Sequence, residues 1–308
     1  MKVGLYGFGE VGYHLALHRA RSVPCLAYNH GTRNFPPYER TFRDRAAQAD
    51  VRLVESVDSL VDECDLIVVA TLSAAVSEVA DTLSAASLDR TRHLVLDLTN
   101  APPSRKRDAS ARLPDACYVD GALLEPPILA GRDAITIVSG ERAEECRQLA
   151  GVVLADCTVI GDQVGMAAAY KSILQILSKG YQALQWEAVL GAVATGLDVE
   201  VLRRLRLRAG AEAELAFGVD DYLLAHSAKH ATRMSDDLRG SIASLTELGM
   251  RCPAAEGAVV GLEHVAALGL DATFGDDGGL RHDELRERLL ALPATASTHR
   301  TGTKESAS

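Results

Sequence analysis

The chain has 308 residues, of which 47% are hydrophobic and 24% charged, and a formal net charge of −10. That length accommodates two domains at roughly 100–200 residues each, and the acidic balance repels a phosphate backbone, so nucleic acid is excluded as an expected partner. Six cysteines, at 25, 64, 117, 146, 157 and 252, form no CxxC pair and lie near no histidines at ligand spacing. Reduced core thiols are therefore expected, with no disulfide frame and no metal site.

Met1-Lys2 runs straight into an apolar stretch that a glycine turn breaks at Gly7, which is too short for an export signal. No apolar run approaches the roughly 20 residues of a membrane span. A cytoplasmic protein with no membrane contact is expected. Along the first half, strand and helix signals alternate. Residues 3–6 read as a buried strand, 11–20 as a helix, 23–28 as a strand, 37–49 as a polar helix and 51–54 as a strand. Ser56 caps a short helix whose Leu60 and Val61 face inward. Residues 66–70 form a continuous apolar, largely β-branched run, as expected of a strand buried on both faces. A helix follows at 76–83, then strands at 94–97, 118–120 and 135–138. This alternation predicts a parallel, doubly wound sheet covered by helices on both faces.

Near Gly161 the character changes. From 164 to about 290 the helical period dominates, with candidate helices at 166–190, 199–207, 212–225, 227–248, 254–268 and 283–290. Glycines at 191, 196, 210, 249 and 269 mark several stops. The fold class is thus α/β: an N-terminal Rossmann domain over 1–162, an all-α domain over 163–292, and a Ser/Thr/Ala-rich tail at 293–308 expected to be disordered.

Gly7-Phe8-Gly9-Glu10-Val11-Gly12 is GxGxxG, placed after a predicted strand and opening a predicted helix. The context gives the pattern its meaning. Gly7 permits the tight turn, Gly9 lets backbone approach a pyrophosphate, and Gly12 lets the helix pack close to the sheet. The helix N-terminus presents N–H groups and partial positive charge to the phosphates. In NAD-binding versions an acidic residue ends the second strand and bonds the ribose hydroxyls. Here that strand ends Tyr28-Asn29-His30-Gly31-Thr32-Arg33, so Asn29 takes the acid's place. Arg33 and His30 can meet a 2′-phosphate and Thr32 can donate to it. NADP is expected ahead of NAD. Thr71 and Ser73 follow the 66–70 strand at its carboxyl end, where open α/β sheets bind ligands. They are further cofactor candidates, and Ser73 can equally cap the next helix.

Lys171 lies in a largely apolar helix, among Gly165-Met166-Ala167-Ala168-Ala169-Tyr170-Lys171-Ser172-Ile173-Leu174-Gln175. Burial there would depress an amine's pKa, which suits proton transfer near neutral pH. Gln175 lies one turn on, and Lys179 two. Taken alone, such a lysine is better read as snorkelling to solvent. A GxGxxG at the extreme N-terminus followed by a GxxxxxK helix that opens an all-α domain resembles the 3-hydroxyacid dehydrogenase family, which includes 6-phosphogluconate dehydrogenase. The likeness covers the architecture of about the first 290 residues, and the C-terminal half looks like a poorly characterised subgroup with a 6-phosphogluconate-dehydrogenase-like domain. Asp97-Leu98-Thr99-Asn100 resembles the segment after the fifth strand. Asp120-Gly121-Ala122 stands where the family binds substrate, and Met234-Ser235-Asp236-Asp237 where it places a lysine–aspartate pair.

The resemblance implies that Lys171 is the general acid/base, with Asp120, Gly121, Gln175 and Asp237 at the substrate. Two departures stand out. Gln175 replaces the family's asparagine, and Leu123-Leu124-Glu125-Pro126-Pro127 replaces its carboxylate-binding serine and glycines. An anionic hydroxy acid is held less readily unless Ser139 or Arg132 compensates. His226 and His230 are one turn apart but lack a third ligand. The expectation is a homodimeric NADP-dependent oxidoreductase acting on a hydroxy/keto group of a small metabolite. An imine reductase on the same scaffold and a non-catalytic NADP-binding protein are the alternatives. Imine reductases of this architecture generally replace the lysine, so its presence favours carbonyl chemistry.

Overall fold

The computed structural model describes residues 1–29, 38–194, 221–247 and 249–270. The chain divides into two compact units, Met1–Ser172 and Ile173–Ser308. The first is built on one eight-stranded sheet in the order β3-β2-β1-β4-β5-β6-β7-β8. Its strands are β1 (Val3–Tyr6), β2 (Cys25–Tyr28), β3 (Arg52–Leu53), β4 (Leu66–Val69), β5 (Leu94–Asp97), β6 (Tyr118–Leu123), β7 (Thr136–Ser139) and β8 (Cys157–Gly161). The helices are α1 (Glu10–His18), α2 (Tyr38–Ala49), α3 (Val57–Glu63), α4 (Val76–Ala85), α5 (Pro103–Ser110), α6 (Pro127–Ala130), α7 (Ala143–Ala150) and α8 (Met166–Ala194), which continues into the second unit.

Strand alternation divides the core cleanly. Val3, Leu5, Leu66, Val68, Leu94 and Leu96 face one side, packed with Leu15 and Ala16 of α1 and Cys146 of α7. Tyr6, Ile67, Val69 and Val95 face the other, packed with Leu60 of α3, Leu83 of α4 and Ala109 of α5. With side chains pointing alternately to the two faces, a sheet covered on both must be apolar at every position, and β1, β4 and β5 are buried throughout. The strand order reverses beside β1, whose neighbours are β2 and β4. This is the switch point at which open sheets leave a crevice at their carboxyl ends.

The expected parallel sheet holds through β6, but β7 runs antiparallel to it. The connection between them carries only the one-turn α6 and a single 3-10 turn (Gly131–Asp133). No crossover helix of the usual kind carries the chain back across the sheet, so the strand reverses. The reversal sets Ser139 directly opposite Asp120. Helices α5 and α7 and strand β8 were not expected. In α5 the buried positions are Pro103, Lys106 and Ala109, so a lysine breaks the apolar period. Strand β8 is only half-buried and lacks a run of inward residues.

The second unit contains α9 (Asp221–Glu247) and α10 (Pro253–Ala267), packed with α8 around Ala183, Met234, Leu238, Leu245, Val259 and Leu262. The sequence suggested a helix break between 225 and 227, but α9 is continuous there and departs from helical dihedrals only at His230. Ser227 was expected to start the second of these helices. It is fully buried and accepts the indole N–H of the buried Trp186 at 2.7 Å, satisfying a donor that would otherwise be stranded in the core. The expected helices at 199–207 and 283–290, the segment 212–220 and the tail at 293–308 lie outside the described residues.

Candidate active site

The glycine turn closes directly on β1. Gly7 donates its N–H to the Tyr28 carbonyl at 2.9 Å. Its φ of +101° belongs to the region that favours glycine, and a Cβ there would lie 2.3 Å from the Ala70 carbonyl oxygen. A Cβ on Gly12 would lie 2.2 Å from the Gly7 carbonyl oxygen, whereas one on Gly9 would meet nothing within 4 Å. Two of the three glycines are therefore demanded by the fold itself. Gly9 is the exception, since the space over it is open.

Phe8 is fully buried and anchors the turn, and its N–H donates to Asn29 Oδ1 at 3.2 Å. Asn29, where an acid was expected in NAD-binding versions, thus braces the glycine turn. No side chain caps α1, whose N-cap is Gly9, and Glu10 and Val11 at its start are exposed and half-buried respectively. An uncapped helix N-terminus beside an open glycine fits the pyrophosphate of a dinucleotide. Of the residues expected at the 2′-phosphate, His30, Thr32 and Arg33 lie outside the described residues.

Across the switch point, Thr71 donates its N–H to Thr99 Oγ1 at 3.3 Å. Ser73 opens a 3-10 turn with no side-chain cap bond, so its reading as a helix cap does not hold. Its carbonyl accepts Arg105 Nη1 at 3.0 Å. A groove of about 550 Å³, lined by Lys2, Arg19, Arg52 and Glu63 among others, involves the first residues of β1 and β2. It therefore lies at the end of the sheet away from the glycine turn.

The start of α8 is held by a buried polar cluster. Asp97 ends β5 and is in register with Asp120 on β6. Asp120 Oδ2 accepts the N–H groups of Gly165 at 3.1 Å and Ala168 at 3.0 Å, while Ser139 Oγ accepts that of Ala167 at 3.1 Å. Ser139 also donates to Asp120 Oδ2 at 3.4 Å. Lys106 of α5 is 0% exposed. Its Nζ donates to the Asp97 carbonyl at 2.7 Å and lies 3.2 Å from Asp97 Oδ2 and 3.5 Å from Asp120 Oδ1. Tyr118 donates its hydroxyl to Asp97 Oδ2 at 2.5 Å, and the Thr99 N–H donates to Asp97 Oδ1 at 2.8 Å. Burial pushes the Asp120 carboxyl above its ordinary value, with Lys106 opposing that rise. Burial, reinforced by Asp97, raises the Tyr118 hydroxyl well above its usual value.

Asp120 and Gly121, expected at the substrate, are thus both buried. Asp120 meets α8 and Lys106, and a Cβ on Gly121 would press Leu96 and Leu98 at under 3 Å. Lys171 is half-buried one turn beyond Ala168. Sequence reasoning missed Lys106, because Arg105 and Arg107 beside it read as a solvated stretch. The only signal was the pairing of Asp97 with Asp120, which requires the strand order to be known.

In the second unit, Lys179 is 9% exposed and donates to Asp237 Oδ2 at 2.8 Å. Burial lowers its pKa, opposed by Asp237. Gln175 Oε1 accepts the Ser241 hydroxyl at 2.7 Å. Asp236 is exposed and pairs with Arg239 at 3.2 Å, so of the two neighbouring aspartates only Asp237 turns to the buried lysine. His226 and His230 stand with ring centroids 4.8 Å apart. No group of residues that could hold a metal occurs among the described residues.

The fold, an eight-stranded sheet with a glycine turn followed by helices, is that of solved structures of 3-hydroxyacid dehydrogenase-like proteins. One is a conserved protein of unknown function noted for its similarity with 3-hydroxyacid dehydrogenases (24% identity, 88% of this chain, 99% of that one, TM-score 0.68). Another is the 3-hydroxyisobutyrate dehydrogenase of Mycobacterium tuberculosis, solved with L-serine (16% identity, 94% and 98% covered, TM-score 0.68). An imine reductase from Myxococcus stipitatus, in complex with NADP+, matches at 18% identity (88% and 96% covered, TM-score 0.55). At these identities the likeness is one of fold. No protein-family model and no curated protein sequence matches the chain.

Proposed function

We propose that the chain is an NADP-preferring oxidoreductase that acts on a hydroxy/keto group of a small metabolite, with Lys171 as its general acid/base. The observation that carries this is the open space over Gly9 at an uncapped helix N-terminus, where the two flanking glycines are required by packing and Gly9 is not. A nicotinamide dinucleotide bound there supplies the hydride chemistry. Gly9 and the first N–H groups of α1 bind the pyrophosphate, Asn29 braces the turn, and Thr71 and Ser73 border the cofactor. Arg33, His30 and Thr32 meet the 2′-phosphate.

Lys171 Nζ holds the proton. In reduction it donates to the carbonyl oxygen, stabilising the negative charge that develops there. In oxidation it takes the hydroxyl proton. Gln175 and Asp237 orient the substrate, Asp237 together with Lys179. Asp120 acts through the seating of α8, and Gly121 lets β6 pack closely against Leu96 and Leu98. The serine and glycines that the resemblance would put at the carboxylate are absent from 123–127, so the substrate is neutral or cationic, or is held in another way.

We further expect a homodimer. Tyr170, Ile173 and Leu177, spaced three and four residues apart on α8, are exposed apolar side chains, and such a face favours association with a second copy. No described helix is long and apolar enough to cross a membrane. The thiols of Cys25, Cys64, Cys117, Cys146 and Cys252 are free and buried, in keeping with a cytoplasmic location. A panel of ketones, keto acids and imines scored by NADPH absorbance tests the activity. Turnover of carbonyls supports this reading, turnover of imines alone would support imine reduction, and no turnover with tight NADPH binding would leave a nucleotide sensor.

A further inference from the structure

We infer that Lys106 is a positioning residue: by holding Asp120 against the first turn of α8, it sets the place of Lys171. Two aspartates on neighbouring strands repel one another, and burial strengthens that repulsion. Asp97 and Asp120 are such a pair, in register and nearly fully buried. Lys106 reaches both from α5, at 3.2 Å and 3.5 Å. Asp120 Oδ1 meets Lys106 Nζ at 3.5 Å, a long ion pair. The other oxygen, Oδ2, accepts the N–H of Gly165, just before α8, and that of Ala168 in its first turn, where a helix carries partial positive charge and an anion is stabilising.

The cluster also reaches the cofactor side of the sheet. Asp97 Oδ1 holds the Thr99 N–H, and Thr99 Oγ1 accepts the N–H of Thr71. Thr71 in turn lies beneath Gly7, whose added Cβ would stand 3.0 Å from Thr71 Cγ2. One connected set of contacts, all within the first unit, therefore runs from the phosphate turn to the helix turn just before Lys171. No sequence motif calls for a lysine at 106, and none of the roles proposed for the reaction uses it.

This inference rests on the reading of Lys171 as acid/base, and the test separates the two. Lys106→Met keeps length and apolar stem but removes the charge. Asp120→Asn, which keeps the shape, serves as the second variant should the first fold poorly. Hydrogen exchange at the amides of Gly165, Ala167 and Ala168 is measured beside that of β4 as a control for global stability. In parallel, kcat, KM and NADPH affinity are measured for each variant and for Lys171→Ala.

In Lys106→Met, protection at the start of α8 should fall more than in β4, and kcat should drop about 10- to 100-fold, as displacement of a catalytic group does, with NADPH affinity nearly unchanged. The acid limb of the kcat profile should move to higher pH, because Asp120 then faces Asp97, Tyr118, Ser139 and the α8 amides without Lys106, with Arg107 near Gly165 the remaining cation named at the helix start. Unaltered protection at the start of α8 would overturn the clamp, as would an unaltered kcat while Lys171→Ala is inactive. Lost protection together with an active Lys171→Ala would instead sink the acid/base reading and leave the clamp standing.

Discussion

Adding one methyl group to the glycine turn separates what the fold needs from what a ligand needs. In Gly12→Ala the new Cβ meets the Gly7 carbonyl oxygen at 2.2 Å, more than an ångström inside ordinary contact, and the obstacle is backbone. Either α1 moves off the sheet or the turn opens, at a cost of about 3 kcal/mol or more, as for other overpacked sites. In Gly9→Ala the methyl group meets nothing within 4 Å, and Gly9 has an ordinary negative φ of −73°. A loss of up to about 1 kcal/mol is expected because alanine is a poor N-cap, offset in part by the stiffer unfolded chain, worth about 0.4–1 kcal/mol.

Cofactor-free Gly9→Ala should therefore melt within a few degrees of wild type and Gly12→Ala far below it. NADPH affinity reverses the emphasis. The Gly9→Ala methyl occupies the space proposed for the pyrophosphate, so Kd should rise tenfold or more, equivalent to about 1.4 kcal/mol. Thermal unfolding of the apoprotein and titration by nucleotide fluorescence decide the matter. Unchanged NADPH affinity in Gly9→Ala, or normal stability in Gly12→Ala, would refute the division of roles.

Other consequences follow from single residues. NADPH should bind more tightly than NADH, and Arg33→Ala should narrow the gap; equal wild-type affinities would end the case for the 2′-phosphate. Burial, reinforced by His230, Arg233, Lys179 and Lys229, lowers the His226 pKa to about 4. The unfolded chain therefore binds more protons than the folded one between pH 6.5 and about 4, and stability should fall on acidification through that window. His226→Gln should flatten this slope in urea unfolding, and an identical slope would remove His226 as its source. Lys106→Met should destabilise the chain by about 3–5 kcal/mol in urea, the usual result of breaking a buried ion pair from one side.

Much of the first unit was readable without coordinates, because β1, β4 and β5 are buried on both faces and such strands appear as unbroken apolar runs. The glycine turn was readable because the spacing of Gly7 and Gly12 answers steric demands of the fold itself. The antiparallel β7 was not, since strand direction depends on what a connection can span rather than on the strand's own residues. Lys106 was hidden for a related reason: a charged side chain between two arginines looks solvated until the topology brings Asp97 and Asp120 together beneath it. Ser227 was read as the first residue of a new helix, whereas its hydroxyl serves the Trp186 indole inside a continuous helix. Asp120 drew attention through its place in a segment, but only coordinates show its carboxylate turned to the amides of α8.

The central claim is that the Lys171 amino group reaches the oxygen of the same carbonyl whose carbon receives the hydride of the nicotinamide. Single-turnover reduction of a carbonyl found in the substrate panel, using NADPH deuterated at the transferring position, tests it most directly. Deuterium should appear on the product carbon with wild type, and Lys171→Ala should bind the same NADPH yet transfer it at least about 100-fold more slowly. Transfer at an undiminished rate by Lys171→Ala would contradict the account.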